Sequence, residues 1–391
     1  MTFQPDSKLL PFWGAIVASA LTGSAWLWGG SSLVGPALSL LLPVLVSRLP
    51  TSRRRIAVAM AYYTVGGWPI VGAVLGYWGS FYIGMGIAAW LGAAALLALP
   101  WGLPPQRGGS VAALLLTALP PLGVIGWLSP LNAAGVFFPR MGWFGVFGIL
   151  LLVAILPTPL PVRTFWSRLG VASVLSAVLT GAIIANGRSS PPVPTPEGWV
   201  SVQTRIRPGN GDIFAEIENN QAIIAEGLRQ GVRGRVVVFP EAILPNWYVG
   251  TQAQFAAAVP PGQVWLLGVQ AGLSDAVVRV EHERADVEPV AVAAGLLLGG
   301  DWQPWNPRSL HPAWWQHVFA QDGQRVWAAL CVQQVQPWTW LEALWQRPTV
   351  ILAQSNVWWA APGDAAPAIQ DASTRAWARL MGVPVVVAVN R

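Results

Sequence analysis

The chain has few charged side chains and almost no reactive ones. Only 10% of its 391 residues are charged, and it contains one lysine, Lys8, and one cysteine, Cys331. An ordinary soluble protein is about 25% charged. The lone cysteine excludes an internal disulfide and a multi-cysteine metal site. The three histidines (His282, His311, His317) lack the HExxH spacing of zinc hydrolases, so we expect no metal and no cofactor.

Clustered positive charge, which nucleic-acid binding would use, is also scarce. The net charge is +6, but the arginines of the C-terminal half are scattered singly along the chain. The one basic cluster, Arg53 to Arg55, is better explained by membrane topology. We therefore expect no nucleic-acid partner.

Long apolar runs dominate residues 1–186. A helix needs roughly 20 apolar residues to cross a bilayer, and about seven stretches approach that length. They lie near 11–29, 32–47, 57–76, 79–99, 110–129, 142–157 and 169–186. Pro120 and Pro121 are expected to kink the fifth. The sequence thus predicts a transmembrane helical bundle over 1–186, followed by a proline-rich linker over 187–198.

The basic residues of the loops predict the orientation of this bundle. With the amino terminus inside, the inner loops 48–56, 100–109 and 158–168 hold seven arginines, or eight basic residues with Lys8, against Arg140 alone outside. This asymmetry predicts a multi-pass protein of a bacterial inner (cell) membrane with its globular half in the periplasm. No buried charge pair or interrupted helix pair favours a transporter.

Residues 199–391 have the pattern of a globular α/β domain. Asp212 is expected to cap a helix that runs to about Gln230, with an apolar stripe that includes Phe214 and Ile223. Short apolar strands alternate with helices, which predicts an α/β layered domain. Strands are expected at 199–206, 236–238, 263–269, 276–280, 325–332, 350–353 and 383–389.

Glu241 directly follows one of these strands. The three valines from Val236 to Val238 form an apolar run, and Pro240 ends the ladder because proline has no N–H to donate. A carboxylate at the carboxyl end of a strand lies where open α/β sheets have their binding and catalytic residues. A solvated loop glutamate is an equally good interpretation of the spacing alone.

Cys331 follows a second apolar strand. A thiol nucleophile needs a base or a neighbouring cation, and a strand-end glutamate could accept its proton. A cation or amide dipoles must then stabilise the oxyanion of the tetrahedral intermediate. The alternative is that Cys331 is a small buried residue of a core strand, which is the commonest fate of a free cysteine.

Four segments of the globular half resemble the nitrilase, or carbon–nitrogen hydrolase, superfamily. They are FPEAILPNW (239–247), LCVQQV (330–335), QSNVWW (354–359) and STRAWARLMGVPVVVAVNR (373–391). With the membrane half, the chain is similar to apolipoprotein N-acyltransferase and to the related TraB-type conjugal transfer proteins of plasmids. The resemblance implies an αββα sandwich that uses Glu, Lys and Cys to move an acyl chain from phospholipid to a lipoprotein amino terminus.

The resemblance also implies roles for individual residues. Glu241 matches the catalytic glutamate and Cys331 the cysteine that accepts the acyl group. Four residues are then expected to bind substrate: Trp247, Asn356 and Trp358 of these segments, and Trp302.

Two departures from the family pattern affect the expected chemistry. The segment GGDWQPW (299–305) matches the one that follows the family's lysine, and counting back eight residues from Asp301 gives Ala293. The catalytic lysine is therefore missing, and Gln333 replaces a glutamate two residues after the cysteine. Arg284 is the nearest candidate cation in sequence, although a guanidinium is bulkier than an ammonium and keeps its proton.

Two functions are compatible with these residues. One is a thiol acyltransferase or amidase of weak or altered activity that works at the membrane through Glu241 and Cys331. The other is a catalytically inactive relative that binds lipid, lipoprotein or envelope partners during conjugation. Members of the family continue beyond the position of Arg391, so the domain is either naturally short or truncated.

Overall fold

The computed structural model describes residues 10–29, 33–105, 108–156, 165–187, 193–209 and 212–391. They form two compact units. The first, here the helical unit, comprises 1–191 with 335–338 and 361–382; the second, here the sheet unit, comprises 192–334, 339–360 and 383–391. The predicted division was a single boundary at the linker, whereas two segments of the C-terminal half belong to the helical unit. Lys8, Arg107, Arg163 and linker residues 188–192 lie outside the described residues.

Eleven helices of the described chain lie in the helical unit, and they range from 5 to 23 residues in length. Their bounds are Leu10–Ser24 (α1), Val34–Leu38 (α2), Leu41–Ser47 (α3), Ser52–Gly67 (α4), Pro69–Trp78 (α5), Ile83–Ala98 (α6), Gly109–Ala118 (α7), Ala133–Phe137 (α8), Trp143–Ile155 (α9), Phe165–Gly187 (α10) and Ala365–Met381 (α14). The last of these is the helix contributed by the C-terminal half.

One continuous helical segment of the described residues, Ser80–Gly102, is long and apolar enough to cross a membrane. The α4–α5 pair would make a second if the 43° bend between them is part of one span. Helices of this kind also occur in soluble cores, so the seven predicted spans stay a prediction. In the fifth stretch the proline pair ends α7 at Ala118 instead of kinking a longer helix, since proline cannot continue the ladder.

α14 is anchored within the helical unit by polar contacts as well as by packing. The Ser373 hydroxyl donates to the Asn132 side-chain oxygen over 3.0 Å. The Arg379 guanidinium donates to the Gly135 carbonyl over 3.1 Å and to the Asn186 side chain over 2.7 Å. Gly135 lies so close to the Ala376 carbonyl that a side chain there would displace the helix.

Two sheets and three helices form the sheet unit. The helices are Ile213–Gly231 (α11), Val249–Ala258 (α12) and Pro337–Gln346 (α13), whose first two residues belong to the helical unit. The strands are Trp199–Ser201 (β1), Gln203–Thr204 (β2), Val236–Val238 (β3), Val264–Ala271 (β4), Ser274–Glu281 (β5), Arg284–Ala285 (β6), Ala291–Val292 (β7), Phe319–Gln321 (β8), Gln324–Leu330 (β9), Val350–Asn356 (β10) and Val385–Asn390 (β11). Asp212 caps α11 through its side chain, which confirms the predicted helix start.

The two sheets share one apolar core. Sheet A has the order β1-β3-β4-β5-β6, with β7 also pairing to β5, and sheet B has the order β2-β11-β10-β9-β8. Side chains of both sheets, among them Val238, Val277, Leu330 and Leu352, pack into a common cluster. A second cluster joins the other face of sheet A to α11 and α12. In α11 only part of the predicted apolar stripe is buried, since Ile223 is enclosed but Phe214 is exposed.

Strand direction brings several strand ends to one place. β3 is parallel to β4, and β9, β10 and β11 are parallel to one another. The Gln354 amide of β10 donates to the Phe239 carbonyl that follows β3 over 2.7 Å, so the carboxyl ends of the two sheets meet. Glu241, Cys331 and Asn356 all lie at this edge.

Candidate functional site

Glu241 is held in place by neighbouring backbone. Its side chain is buried, with 9% of the residue exposed, and its Oε2 accepts the Asn356 backbone N–H over 3.0 Å. The chain after Pro240 crosses β4 at Gly268, where an added Cβ would lie 2.5 Å from the Glu241 Cα. Only glycine allows this approach, and it fixes the carboxyl at the edge of the sheet.

Cys331 turns sharply out of β9. It has φ +33°, a conformation that a residue with a side chain rarely adopts, and a 3₁₀ turn of residues 331–335 begins there. Strained backbone of this kind occurs preferentially at functional sites. The half-buried thiol hydrogen-bonds to the Glu241 carboxyl. The structure therefore brings the two predicted catalytic residues together.

Two further carboxyls, which the sequence did not indicate, belong to the same site. β5 runs antiparallel to β4, so Asp275 at its start lies opposite Gln270 at the end of β4. Asp275 is only 3% exposed and hydrogen-bonds to Glu241, while its Oδ1 has no partner among the described residues. Asp301 is close enough to act on both carboxyls electrostatically. Glu241, Asp275 and Asp301 are called the carboxyl cluster below.

The carboxyl cluster retains protons that isolated carboxyls would lose. Burial, and then the charge and hydrogen bond of Asp275, raise the pKa of Glu241 well above its usual range, although the Cys331 hydrogen bond opposes the shift. Burial raises the pKa of Asp275 to about 7 and that of Asp301 to about 6. Two buried carboxylates in contact repel each other, so the pair favours a state in which one carboxyl keeps its proton and donates to the other.

Within the part of the chain that the structure describes, no group of three or more His, Cys, Asp or Glu side chains could hold a metal ion.

Position 293 lies inside the site. The Ala293 N–H donates to the Asp275 carbonyl over 2.8 Å, which continues the antiparallel pairing of β5 and β7 by one residue. Directly opposed residues of an antiparallel pair point to the same face, with Cβ atoms about 4.5–5.5 Å apart. The position at which the sequence resemblance predicted a lysine therefore lies beside Asp275, where this chain has a methyl group.

Arg284, predicted as the substitute cation of the site, lies far from Glu241. It pairs with Glu281 at the far end of β5, six residues from Asp275 and hence roughly 20 Å away at the rise of a strand. Its side chain is 71% exposed and lies 3.5 Å from Asp286. The prediction that Arg284 serves the site is wrong, because the β5–β6 hairpin carries it away from the edge where Glu241 lies.

The four predicted substrate-binding residues occupy different surroundings. Asn356 contacts Glu241, as described above. Trp247 is buried in the core under α12 and donates to the Asp286 carbonyl over 3.2 Å, so it contributes to packing beside the β5–β6 hairpin. Trp302 is partly exposed next to Asp301 and packs edge-to-face on Trp314, with ring centroids 5.0 Å apart. Trp358 is also partly exposed.

A network of three amide side chains and one carboxyl supports the turn at Cys331. Gln333 accepts the Leu330 N–H over 3.1 Å and donates to the Gln316 amide oxygen over 3.2 Å. Gln316 in turn donates to the Ala328 carbonyl of β9 and, through its backbone N–H, to Glu342. Four side chains form what we call the amide network: Gln316, Gln333, Glu342 and Gln346.

Two known proteins are similar to this chain over nearly its whole length. It is 26% identical over 406 residues to the conjugal transfer protein TraB of Agrobacterium fabrum (strain C58 / ATCC 33970), an alignment that covers 93% of this chain and 89% of the relative. It is 25% identical over 407 residues to the probable conjugal transfer protein TraB of Sinorhizobium fredii (strain NBRC 101917 / NGR234), covering 96% and 97%. The chain matches no protein-family model. The chain thus has distant homologues among proteins named for conjugal transfer.

Proposed function

We propose that this chain is a TraB-type conjugal transfer protein of the membrane whose nitrilase-like domain transfers acyl groups through Cys331, with low or altered activity. The hydrogen bond between the Cys331 thiol and the Glu241 carboxyl, at a strained strand end, carries this proposal. A thiol hydrogen-bonded to a carboxyl is the arrangement that an activated nucleophile requires. The similarity to the two TraB proteins supports the role in conjugation.

The proposed reaction has two halves. In the first, the Cys331 sulfur attacks the ester carbonyl of a phospholipid, and the thiol proton passes to the Glu241 carboxylate. The ester C–O bond breaks, and Glu241 returns the proton to the departing alkoxide. In the second, the acceptor attacks the thioester carbonyl and gives its proton to the Glu241 carboxylate. The C–S bond breaks, and Glu241 passes that proton to the departing Cys331 sulfur.

Two features of the site explain why the activity would be low. Glu241 can accept a proton only when it is ionised, and burial, which raises its pKa, disfavours the ionised form. Ala293 supplies no ammonium to the oxyanion. Loss of one oxyanion donor typically costs about 10²–10³ in rate.

Mass spectrometry of the intact protein tests the proposal. The detergent-purified protein, incubated with phospholipid at pH 8, should gain the mass of one acyl chain, and Cys331→Ala should gain none. A maleimide probe checks that the thiol is accessible in the folded protein. A folded, thiol-accessible protein that forms no adduct would rule out acyl transfer.

The second candidate function is binding without catalysis. It is favoured by the carboxyl cluster, because Asp275 and Asp301 surround Glu241 with acid where the family has a cation. In this case the partner is a lipid, a lipoprotein or an envelope protein of the conjugation machinery. The same mass measurement separates the two functions.

The proposed location is the bacterial inner membrane, with seven spans and the sheet unit in the periplasm. The distribution of loop arginines supports it, and Ser80–Gly102 supplies one helix of sufficient length. A phosphatase reporter fused after Gly198 should be active in the periplasm. A reporter that functions only in the cytoplasm would reverse the orientation.

A further inference from the structure

Residues 296–315 expose an unusual number of large apolar side chains. We call this segment, LLLGGDWQPWNPRSLHPAWW, the tryptophan loop. Trp305 is 72% exposed, and four more large apolar residues of the loop are exposed: Leu297, Leu298, Trp314 and Trp315. Single exposed apolar residues are ordinary, whereas several in one segment mark an interaction surface.

The loop is held in a defined shape. The Ala313 and Trp314 N–H groups donate to the carbonyls of Ala293 and Ala294, which anchors the end of the loop to the chain after β7. Inside the loop, the Leu310 N–H donates to the Asp301 carbonyl over 3.0 Å. The indoles are therefore presented on ordered backbone, and they remain exposed although Trp302 and Trp314 pack together.

The tryptophan loop exposes basic but no acidic side chains, which favours an anionic partner. Its exposed ionisable residues are Arg308 and His311, and its one acid, Asp301, belongs to the carboxyl cluster. Tryptophan is the side chain enriched at the level of lipid headgroups, because its ring is apolar and its N–H is polar. Arginine is attracted by the negative surface of anionic phospholipid.

Another exposed apolar patch differs in this respect. At the start of α11, Phe214 is 79% exposed, but Asp212 and Glu216 flank it. Anionic lipid would repel these carboxylates.

We propose that the tryptophan loop lies in the headgroup region of a bilayer that contains anionic phospholipid. This inference goes beyond the proposed acyl transfer and does not require it. It assigns a membrane-contacting surface to the sheet unit and identifies lipid as its partner.

Site-specific fluorescence in the full-length protein tests this contact. In a Cys331→Ser background, Trp305→Cys and the matched Phe214→Cys are each labelled with an environment-sensitive maleimide dye. Each protein is reconstituted into nanodiscs of phosphatidylcholine and phosphatidylglycerol, with or without a nitroxide on the lipid headgroup. Circular dichroism confirms that the variants fold.

The expected result is a blue shift and loss of dye fluorescence at position 305 in the nitroxide discs, with no loss at position 214. An unquenched dye at 305 would overturn the proposal and leave a protein partner for the loop. Equal quenching at 305 and 214 would also overturn it, because contact would then not be specific to the loop. Since Cys331 is absent throughout, neither outcome depends on acyl transfer.

Discussion

The carboxyl cluster and the amide network meet at the end of β9, yet their buried polar groups differ in how fully they are hydrogen-bonded. In the amide network, each glutamine uses its amide oxygen and nitrogen for complementary bonds to backbone or to another glutamine. In the carboxyl cluster, acids face acids, Asp275 Oδ1 has no partner among the described residues, and the backbone at Cys331 is strained.

The difference teaches where stability and reactivity lie. Saturated neutral hydrogen bonds hold a turn at little electrostatic cost, whereas buried acids in contact keep protons that they would otherwise release. The amide network therefore positions the turn at Cys331, and the carboxyl cluster supplies its chemistry. Four changes would break or sharpen this distinction.

The largest effect is expected from Ala293→Lys. The new ammonium would lie beside Asp275, lower the pKa values of the carboxyl cluster by its charge, and stabilise an oxyanion. Acyl-adduct formation should accelerate by up to about 10²–10³. Single-turnover mass spectrometry measures the rate.

Ala291→Lys is the matched control, since Ala291 faces the same core two residues earlier, opposite Val277. It should destabilise the protein and leave adduct formation unchanged. If both lysines accelerate the reaction equally, position 293 has no special place in the site.

The next effect concerns the amide network. Gln333→Leu removes the acceptor for the Leu330 N–H and the donor to Gln316, and each buried group left unpaired costs about 1–3 kcal/mol. Urea unfolding should show this loss in the free energy of unfolding. Gln221→Leu, at an exposed position of α11, should change the stability little. Equal effects of the two substitutions would contradict a structural role for the network.

A smaller effect follows from pH. The raised pKa values of Asp275, Asp301 and Glu342, about 7, 6 and 7, mean that the folded protein binds protons more tightly than the unfolded chain. Their contribution to stability is complete below the unfolded values near 4 and is lost as pH rises through 6 to 7. Tm should therefore fall between pH 5 and 8, by roughly 2 °C for each 1.4 kcal/mol lost in a chain of this length.

Asp275→Asn should flatten this dependence, because an amide has no proton to lose. A Tm that rises with pH in the wild type, or an unchanged slope in the variant, would show that Asp275 is ionised in the folded state at all these pH values.

The smallest effect is expected from Arg284→Ala. An exposed ion pair such as that with Asp286 contributes about 0–1 kcal/mol, so the free energy of unfolding should hardly change. Labelling of Cys331 by maleimide should be the same in the variant and the wild type. Slower labelling would restore Arg284 as a candidate for the site.

The sequence predicted Glu241, Cys331 and the neighbouring Asn356, but not the carboxyls Asp275 and Asp301. Glu241 and Cys331 each follow a short apolar run, which predicts a buried strand. Because the carboxyl ends of these strands meet at one edge of the sheet unit, the two side chains come together there. No such pattern marks Asp275. It shares one face of its strand with Arg279, which suggests that this face, and the acid with it, points outward. Its burial depends on the opposing sheet, which no local pattern records. Arg284 was close in sequence but distant in space, because a hairpin separates it from the site.

The chain passes between the helical and sheet units five times, at 191/192, 334/335, 338/339, 360/361 and 382/383. α14 lies between β10 and β11 in sequence, yet its apolar face, with Ile369, Trp377 and Leu380, is buried in the helical unit. A fragment of residues 192–391 would therefore contain α14 without the helices that cover its apolar face, in the connection between β10 and β11. Such a fragment should aggregate, because that apolar face would be exposed to water. We expect the two halves of the chain to fold only when they are expressed together and to unfold in one transition.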